Sequence, residues 1–398
     1  MWQKNVHYLD YNASAGISGA VRDQLIEYLK NEETGQANPS SRHRLGQREQ
    51  RVLFESARKI SRSFGENATP EELIFTSSGT EANQAIIHSF TQAVQGLIIG
   101  AAEHSASFDM IDRVSKHHPG IWVETLPLTS NGTHDLSALW ELAGRASALG
   151  IQTLGISLFW ANAETGVLAR LEELRDLMKR MKLDLNLDAL LHLDGAQVWG
   201  KISLNLHSTP ADFVSFSSHK IGAPAGAGVI WRRPGAPFVS LFPGTQNSGQ
   251  RGGSENVLGI LGMGFACEHL DPLSFQKSTG ACQRHFESSL LRRVPSASVW
   301  GSSENRVSNT SRIGFAGFRA YENWVEILDL RGFAVSHGSA CRASVVEPSR
   351  VLLAMGVGRE EALNSIRVSF GPESSIQEVD ALLDALVEIH EQKKRGAG

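Results

Sequence analysis

The chain has 398 residues, 41% of them hydrophobic, and a formal net charge of −4. That length buries a large core and exceeds one ordinary small domain. Acids and bases are spread along the chain, so no concentrated basic stripe points to nucleic acid or an anionic membrane, and a small molecule or a protein is the expected partner.

In chain order, the stretch 1–10 lacks the apolar core of a secretory signal, and no uninterrupted apolar run is long enough to span a bilayer. Short apolar runs at 73–76, 97–100, 121–126, 151–159, 190–193, 213–216 and 229–231 are predicted strands. Between them lie helical patterns at 81–94, 105–117, 135–149 and 171–183. This alternation predicts an α/β fold with a mostly parallel sheet covered on both faces. The Gly-, Ser- and Gln-rich stretch 239–254 is predicted to be a long loop. A helix at 259–270 leaves the sheet lobe. Strands at 310–315 and 333–335 and a helix at 376–393 then mark a second, smaller lobe of sheet plus helices, with a frayed basic tail.

Cys267, Cys282 and Cys341 cannot all pair with one another, and their spacing matches neither a zinc site nor a disulfide framework. Reduced thiols in a cytoplasmic protein are the simplest reading. The histidines form no His-Glu-x-x-His pattern, and no metal is assigned.

Chemistry concentrates around Lys220, which follows the predicted strand 213–216, and Asp194, which follows the strand 190–193. A Lys amine can form a Schiff base with the aldehyde of pyridoxal phosphate, and a buried Asp can hold the pyridine nitrogen protonated so that the ring withdraws electrons. Ser77-Ser78-Gly79-Thr80-Glu81 follows a strand and opens a helix, which offers backbone N–H groups to a phosphate. Gly79 permits close approach and Thr80 adds a hydroxyl; by itself the stretch would read as an ordinary helix cap. His104 follows the next strand and is placed to stack on the pyridine ring. Gln197 is placed to reach the ring's phenolic oxygen, and Ser217 and His219 flank the lysine within reach of the phosphate.

These stations, in this order, resemble the cysteine desulfurase branch of the class V aminotransferase-like enzymes. The likeness runs from Tyr8-Leu9-Asp10-Tyr11-Asn12 through Asn38-Pro39-Ser40-Ser41-Arg42-His43 and Phe75-Thr76-Ser77-Ser78-Gly79-Thr80-Glu81-Ala82-Asn83. It continues through Asp194, Gln197 and Ser217-x-His219-Lys220 to Gly338-Ser339-Ala340-Cys341 and Ser365-Ile366-Arg367-Val368-Ser369, covering nearly the whole chain.

The resemblance implies a fold-type I pyridoxal phosphate-dependent transferase. Its large mostly parallel sheet domain is expected over 15–262, and a smaller α+β domain over 1–14 with 263–398. It implies that L-cysteine is converted to alanine while a thiolate, at the position of Cys341, takes the sulfur as a persulfide. Arg342 beside it would favour thiolate. Arg367 matches the residue that clamps the substrate carboxylate, a task suited to a guanidinium fork, and Asn162 matches a substrate-binding position. His104 and Lys220 join Cys341 as the implied catalytic residues.

The stretch Ser339-Ala340-Cys341 followed by Glu347-Pro348-Ser349 is similar to the subgroup of nitrogen-fixation and iron–sulfur-cluster assembly. A homodimer is implied, with Ser254 supplying a phosphate ligand across the interface, as is a sulfur-acceptor or scaffold protein. Two positions depart from the pattern. Ala163 stands where the family carries a second Asn, and Asn12-Ala13-Ser14-Ala15-Gly16 where Ala-Thr-Thr-Pro-like residues are usual. They keep open a related lyase or aminotransferase-like enzyme acting on selenocysteine, cysteine sulfinate or another amino acid, and a weakly catalytic sulfur-trafficking scaffold.

Overall fold

The computed structural model describes residues 6–31, 35, 37–302, 304–315, 323–338 and 347–396. Its strands are, in chain order, β1 (His7–Tyr8), β2 (Leu73–Thr76), β3 (Gly96–Gly100), β4 (Trp122–Leu126), β5 (Thr153–Phe159), β6 (Asp188–Asp194), β7 (Phe213–Ser217), β8 (Gly228–Arg232), β9 (Ala297–Trp300), β10 (Thr310–Phe315), β11 (Phe333–Ala334) and β12 (Ser365–Ser369). β2 to β8 form one sheet in the order β2-β8-β7-β6-β5-β3-β4. β8 runs antiparallel to both neighbours, and every other pairing in the sheet is parallel. This is the α/β architecture expected from the alternating pattern.

The central strands read as continuous apolar runs because both faces of the sheet are covered. Along β3, Ile98 packs with Leu154, Ile156 and Leu158 in one core. Its neighbours Leu97 and Ile99 point the other way, into a core shared with Ile86 and Phe90. Phe90 belongs to the helix Gly79–Ala93, whose N-cap Ser78 accepts a hydrogen bond from the Glu81 N–H. Because β8 reverses direction between β2 and β7, β2 runs parallel to β6 and β7. The ends of β2, β6 and β7, and with them the start of that helix, Asp194 and Ser217, therefore share one sheet edge.

A second sheet, β12-β10-β9, is antiparallel. It packs with the helices Pro272–Arg293 and Ile376–Gly396 around a separate core that includes Phe286, Leu290, Ile313, Val368, Leu382 and Leu386. β1 pairs in parallel with β11, and Leu9 is buried in this smaller core. The next residues, Asp10 to Asn12, run from there toward Lys220.

Most predicted elements fall within two residues of those observed. The pattern at 105–117 is an exception and divides into Ser105–Phe108 and Met110–His117. Asp109 between them, with φ −67° and ψ −13°, is the C-cap of the first and the N-cap of the second, and its N–H still donates to the Ser105 carbonyl at 2.9 Å, so the chain stays helical through the break. The last helix also runs on to Gly396, into the stretch expected to fray.

Gly155 in β5 lies directly under the helix that starts at Gly79: a Cβ there would sit 2.7 Å from Phe90 Cδ2. Gly155→Ala is expected to cost about 1–3 kcal/mol by overpacking, measured as a lower urea midpoint. An unchanged midpoint would show that Phe90 can move aside.

Candidate active site

Lys220 ends the 3₁₀ turn Ser218–Lys220 that follows β7. Its Nζ donates to the main-chain oxygens of Asn12, at 2.5 Å, and Ala13, at 2.9 Å. Burial, followed by the Arg367 charge, draws its pKa down to about 8, against the opposing pull of Asp194 and Asp10. An appreciable fraction is therefore free amine just above neutrality, the form that attacks a carbonyl.

Asp194 closes β6. Its Oδ2 accepts from Asn83 Nδ2 at 2.8 Å and its Oδ1 from the Ala196 N–H at 3.0 Å. A carboxylate has about four acceptor sites, so these two bonds leave room for a further donor. On the same edge, the helix Gly79–Ala93 is 15 residues long, and its cap satisfies the third N–H while Gly79 and Thr80 stand at the open end. A Cβ on Gly79 would press to 3.1 Å from the buried Ser217 Cβ, so glycine is what keeps that space clear. His219 is half-buried, and burial, with the charges of Lys220 and His104, pulls its pKa down to about 4, leaving a neutral ring. His104 is exposed; its Nδ1 caps the short helix Ser105–Phe108 by accepting from the Ala106 N–H at 3.1 Å. An amine, a carboxylate with spare capacity and an open helix start beside a serine and a neutral imidazole fit the aldehyde, ring nitrogen and phosphate of pyridoxal phosphate.

Arg367 lies in β12 and is 3% exposed. Nη2 pairs with Asp10 Oδ1 at 2.6 Å, while Nη1 donates to the carbonyls of Ala163 at 3.1 Å and Gly338 at 3.4 Å. Its buried Nε has no partner among the described residues, so the fork retains a donor. Asn162 is also buried, but its Oδ1 is taken by the turn that follows, accepting from the N–H groups of Glu164 and Thr165. Gln197 donates from Nε2 to the Asn12 carbonyl at 3.0 Å and accepts from Lys201 Nζ at 2.6 Å. Ser254 is exposed at the end of the long loop.

Cys341 lies outside the described residues. Gly338, three positions before it, touches Arg367. The other two cysteines are poor thiolates, since burial pushes Cys267 up to about 12 and raises Cys282 as well.

Several residues of the site escaped sequence reasoning. Asp10 and Lys201 are long-range partners that nothing local marks, although Lys201 lies one helical turn beyond Gln197. Asn83, Ser215 and His192 extend inward from Asp194. The register that sets Ser215 opposite Asp194, and the i, i+2 relation of His192 to Asp194, were the available signals.

The aminotransferase class-V family matches residues 7–382. A cysteine desulfurase of Cereibacter sphaeroides is 35% identical over 392 residues, covering 97% of this chain and 96% of its own length. One from Bradyrhizobium diazoefficiens is 33% identical over 390 residues, covering 96% and 94%. The X-ray structure of a NifS-like protein from Rickettsia africae ESF-5 superposes with a TM-score of 0.84 at 27% identity, covering 97% of this chain and 99% of that one.

The charges around Lys220 make opposite demands on its acidity. Replacing Arg367 by Gln is expected to raise the Lys220 pKa from about 8, and replacing Asp10 by Asn to lower it. The pH dependence of Lys220 labelling by an amine-reactive probe, read by peptide mass spectrometry, checks both signs; shifts of equal sign would contradict the assigned causes.

Proposed function

The chain belongs to the class-V aminotransferases and, within them, to the cysteine desulfurases, and on that premise we propose that its site turns L-cysteine into L-alanine and leaves the sulfur as a persulfide on Cys341. The observation that carries this reading is the contact between Arg367 and the Gly338 carbonyl. Cys341 follows three residues later in the sequence, and three residues span at most about 11 Å of extended chain, so its distance from the carboxylate clamp is bounded by a short reach.

The family's cofactor is pyridoxal phosphate, which when bound supplies an electron sink for the amino acid. Lys220 would tether it and Asp194 would hold its ring nitrogen. The helix start at Gly79 and Thr80, with Ser217 and His219, would hold its phosphate. His104 would stack on its ring, and Gln197 would approach the ring's phenolic oxygen once its amide leaves the Asn12 carbonyl. Arg367 orients the substrate carboxylate with the amide of Asn162 nearby, and Asp10 keeps the guanidinium fork in place. The Cys341 thiolate then attacks the substrate sulfur. A sulfur–sulfur bond forms, the substrate Cβ–S bond breaks, and the electron pair left on carbon takes a proton to complete the methyl group of alanine. Cysteine and thiol thus give alanine and persulfide with no external oxidant.

The same reading assigns residues 15–262 to a cofactor-binding domain, and 1–14 with 263–398 to a smaller one. It makes the protein a cytoplasmic homodimer in which Ser254 reaches the partner's phosphate site. Support comes from the exposure of Ser254 next to exposed apolar residues on the same stretch, Val239, Phe242 and Leu258. The persulfide would pass to a sulfur-acceptor or scaffold protein, whether for iron–sulfur clusters, tRNA thiolation or another pathway.

An anaerobic assay with L-cysteine that measures alanine and sulfide together tests the reaction. Peptide mass spectrometry after a cysteine pulse should find one added sulfur on the Cys341 peptide and none on Cys267 or Cys282. Cys341→Ser should keep the change in visible absorbance on adding cysteine yet lose alanine formation. Undiminished alanine from that variant would move the protein to the lyase alternative.

Arg367→Ala removes a charged donor worth about 1.5–3 kcal/mol, so kcat/KM for cysteine should fall roughly 10- to 150-fold with cofactor retained. Ala163→Asn restores the family's second amide and should preserve or raise turnover. A folded Ala163→Asn protein inactive toward cysteine would show that the pocket is built for a different amino acid.

A further inference from the structure

Behind Asp194 a line of buried polar side chains leads away from the site and into the sheet. Asn83 donates to Asp194 Oδ2 at 2.8 Å and accepts at Oδ1 from the Ser215 hydroxyl. Ser215 Oγ lies 2.9 Å from His192 Nε2, and His192 Nδ1 lies 2.9 Å from Ser157 Oγ. Asn83 is 3% exposed, Ser215 1%, and His192 and Ser157 0%. The four residues come from four elements: the helix Gly79–Ala93, β7, β6 and β5.

The polarity of this line is fixed by chemistry. A carboxylate only accepts, so the NH₂ of Asn83 must face Asp194 and its oxygen must face Ser215. Ser215 therefore spends its single hydroxyl proton on Asn83 and can only accept from its other neighbour, which must be a protonated Nε2 of His192. Burial draws the His192 pKa down to about 4, so the ring is neutral, and with its proton on Nε2 its Nδ1 accepts from Ser157. Every hydrogen bond in the chain points from Ser157 toward Asp194. An interior position filled only for packing would favour apolar side chains over four polar ones that each need a partner.

We propose that Ser215 and His192 are positioning residues for Asp194, holding the Asn83 amide as a fixed donor so that the carboxylate keeps a proton on the ring nitrogen of the bound cofactor. This rests on the reading that Asp194 faces that nitrogen. A carboxylate that receives a hydrogen bond is favoured in its charged form, so loosening Asn83 would draw the shared proton from nitrogen toward oxygen.

The test uses holoenzyme loaded with pyridoxal phosphate labelled with ¹⁵N in the ring, whose resonance separates protonated from unprotonated nitrogen. Asp194→Ala should carry the resonance to the unprotonated position. Asn83→Ala and Ser215→Ala should carry it part of the way and weaken retention of the cofactor by roughly tenfold. His192→Phe should behave like Ser215→Ala. The double variant Asn83→Ala/Ser215→Ala should go no further than Asn83→Ala, because Ser215 acts through Asn83. Ser215→Ala and Ser157→Ala each remove one oxygen and keep the comparison available if His192→Phe does not fold. A resonance unmoved in Ser215→Ala while Asp194→Ala moves it, or additive effects in the double variant, would overturn the inference and leave the site reading standing. A resonance unmoved in Asp194→Ala would overturn the site reading itself.

Discussion

Asn12 is where the two sheets and the site are tied together. Its main-chain oxygen accepts from Lys220 and Gln197, and its Oδ1 from Lys201 and Asn309. Its Nδ2 donates to Thr310 Oγ1 and the Ala163 carbonyl, and its main-chain N–H donates to Ser369 Oγ. At 1% exposure none of these groups has water to fall back on, so each bond is needed to offset burial. Lys220, Gln197 and Lys201 belong to the stretch around β6 and β7, whereas Asn309, Thr310 and Ser369 belong to β10, β12 and their approach. The relative placement of lysine and arginine in the site follows from this one residue, and β1, by pairing with β11, fixes where the chain enters.

The electrostatics follow from crowding cations into that space. Arg367 brings a guanidinium, and Asp10, at 2.6 Å, is its counter-charge. The two lysines beside it have their pKa drawn down by burial and by neighbouring cations. Lys201, 4% exposed and without a carboxylate partner among the described ion pairs, is driven well below the usual lysine range by burial and by the charges of Lys220 and Arg367. Lys201 donates to Asn12 and Gln197, both at 2.6 Å. It thereby sets which way the Gln197 amide points, since the amide oxygen accepts from Lys201 while Nε2 donates to the Asn12 carbonyl. Lys220 is moved less because Asp194 and Asp10 hold its ammonium. The guanidinium of Arg367 thus stands paired with Asp10, while Lys220 is left with a pKa of about 8.

How much of this was legible depends on the range of the interactions. The large sheet was readable because its strands are buried on both faces and its cap at Ser78 is a local signal. The helix Arg44–Arg62 went unread even though Leu45, Val52, Leu53, Ala57 and Ile60 recur at helical spacing, because they are sparse among charged residues and interleaved with the buried Gly46, Glu49, Ser56 and Ser61. The nearness of Gly79, Asp194, Ser217 and Lys220 was legible because each stands at or just after the end of a strand, and those ends share one sheet edge. Their partners were not: Asp10 reaches Arg367 across 357 positions and Asn83 reaches Asp194 across 111, and such pairings exist only once the topology is formed. Ala163 was noticed for the amide it lacks, yet the contacts it makes come from its carbonyl, which no side-chain comparison reveals.

Gly338 is the last described residue before Cys341, and its surroundings leave it no alternative. Its φ of +104° is open to glycine and strained for other residues. A Cβ there would lie 2.6 Å from Glu164 Oε2 and 2.8 Å from Arg312 Nη1. Those atoms belong to a buried ion pair, 3.6 Å apart at its Nη2–Oε2 approach. Arg312 also donates to the His337 carbonyl and to Ser365 Oγ, and Glu164 Oε2 accepts from Ser349 at 2.5 Å. Ser349 in turn caps the helix Arg350–Ala354. The chain therefore leaves the described structure at Gly338 and re-enters it just before Ser349 against the same pair of charges. A buried pair costs much of its attraction in desolvation, so its worth here lies in geometry: it holds both ends of the Cys341 segment to the turn that carries Ala163, whose carbonyl Arg367 already grips.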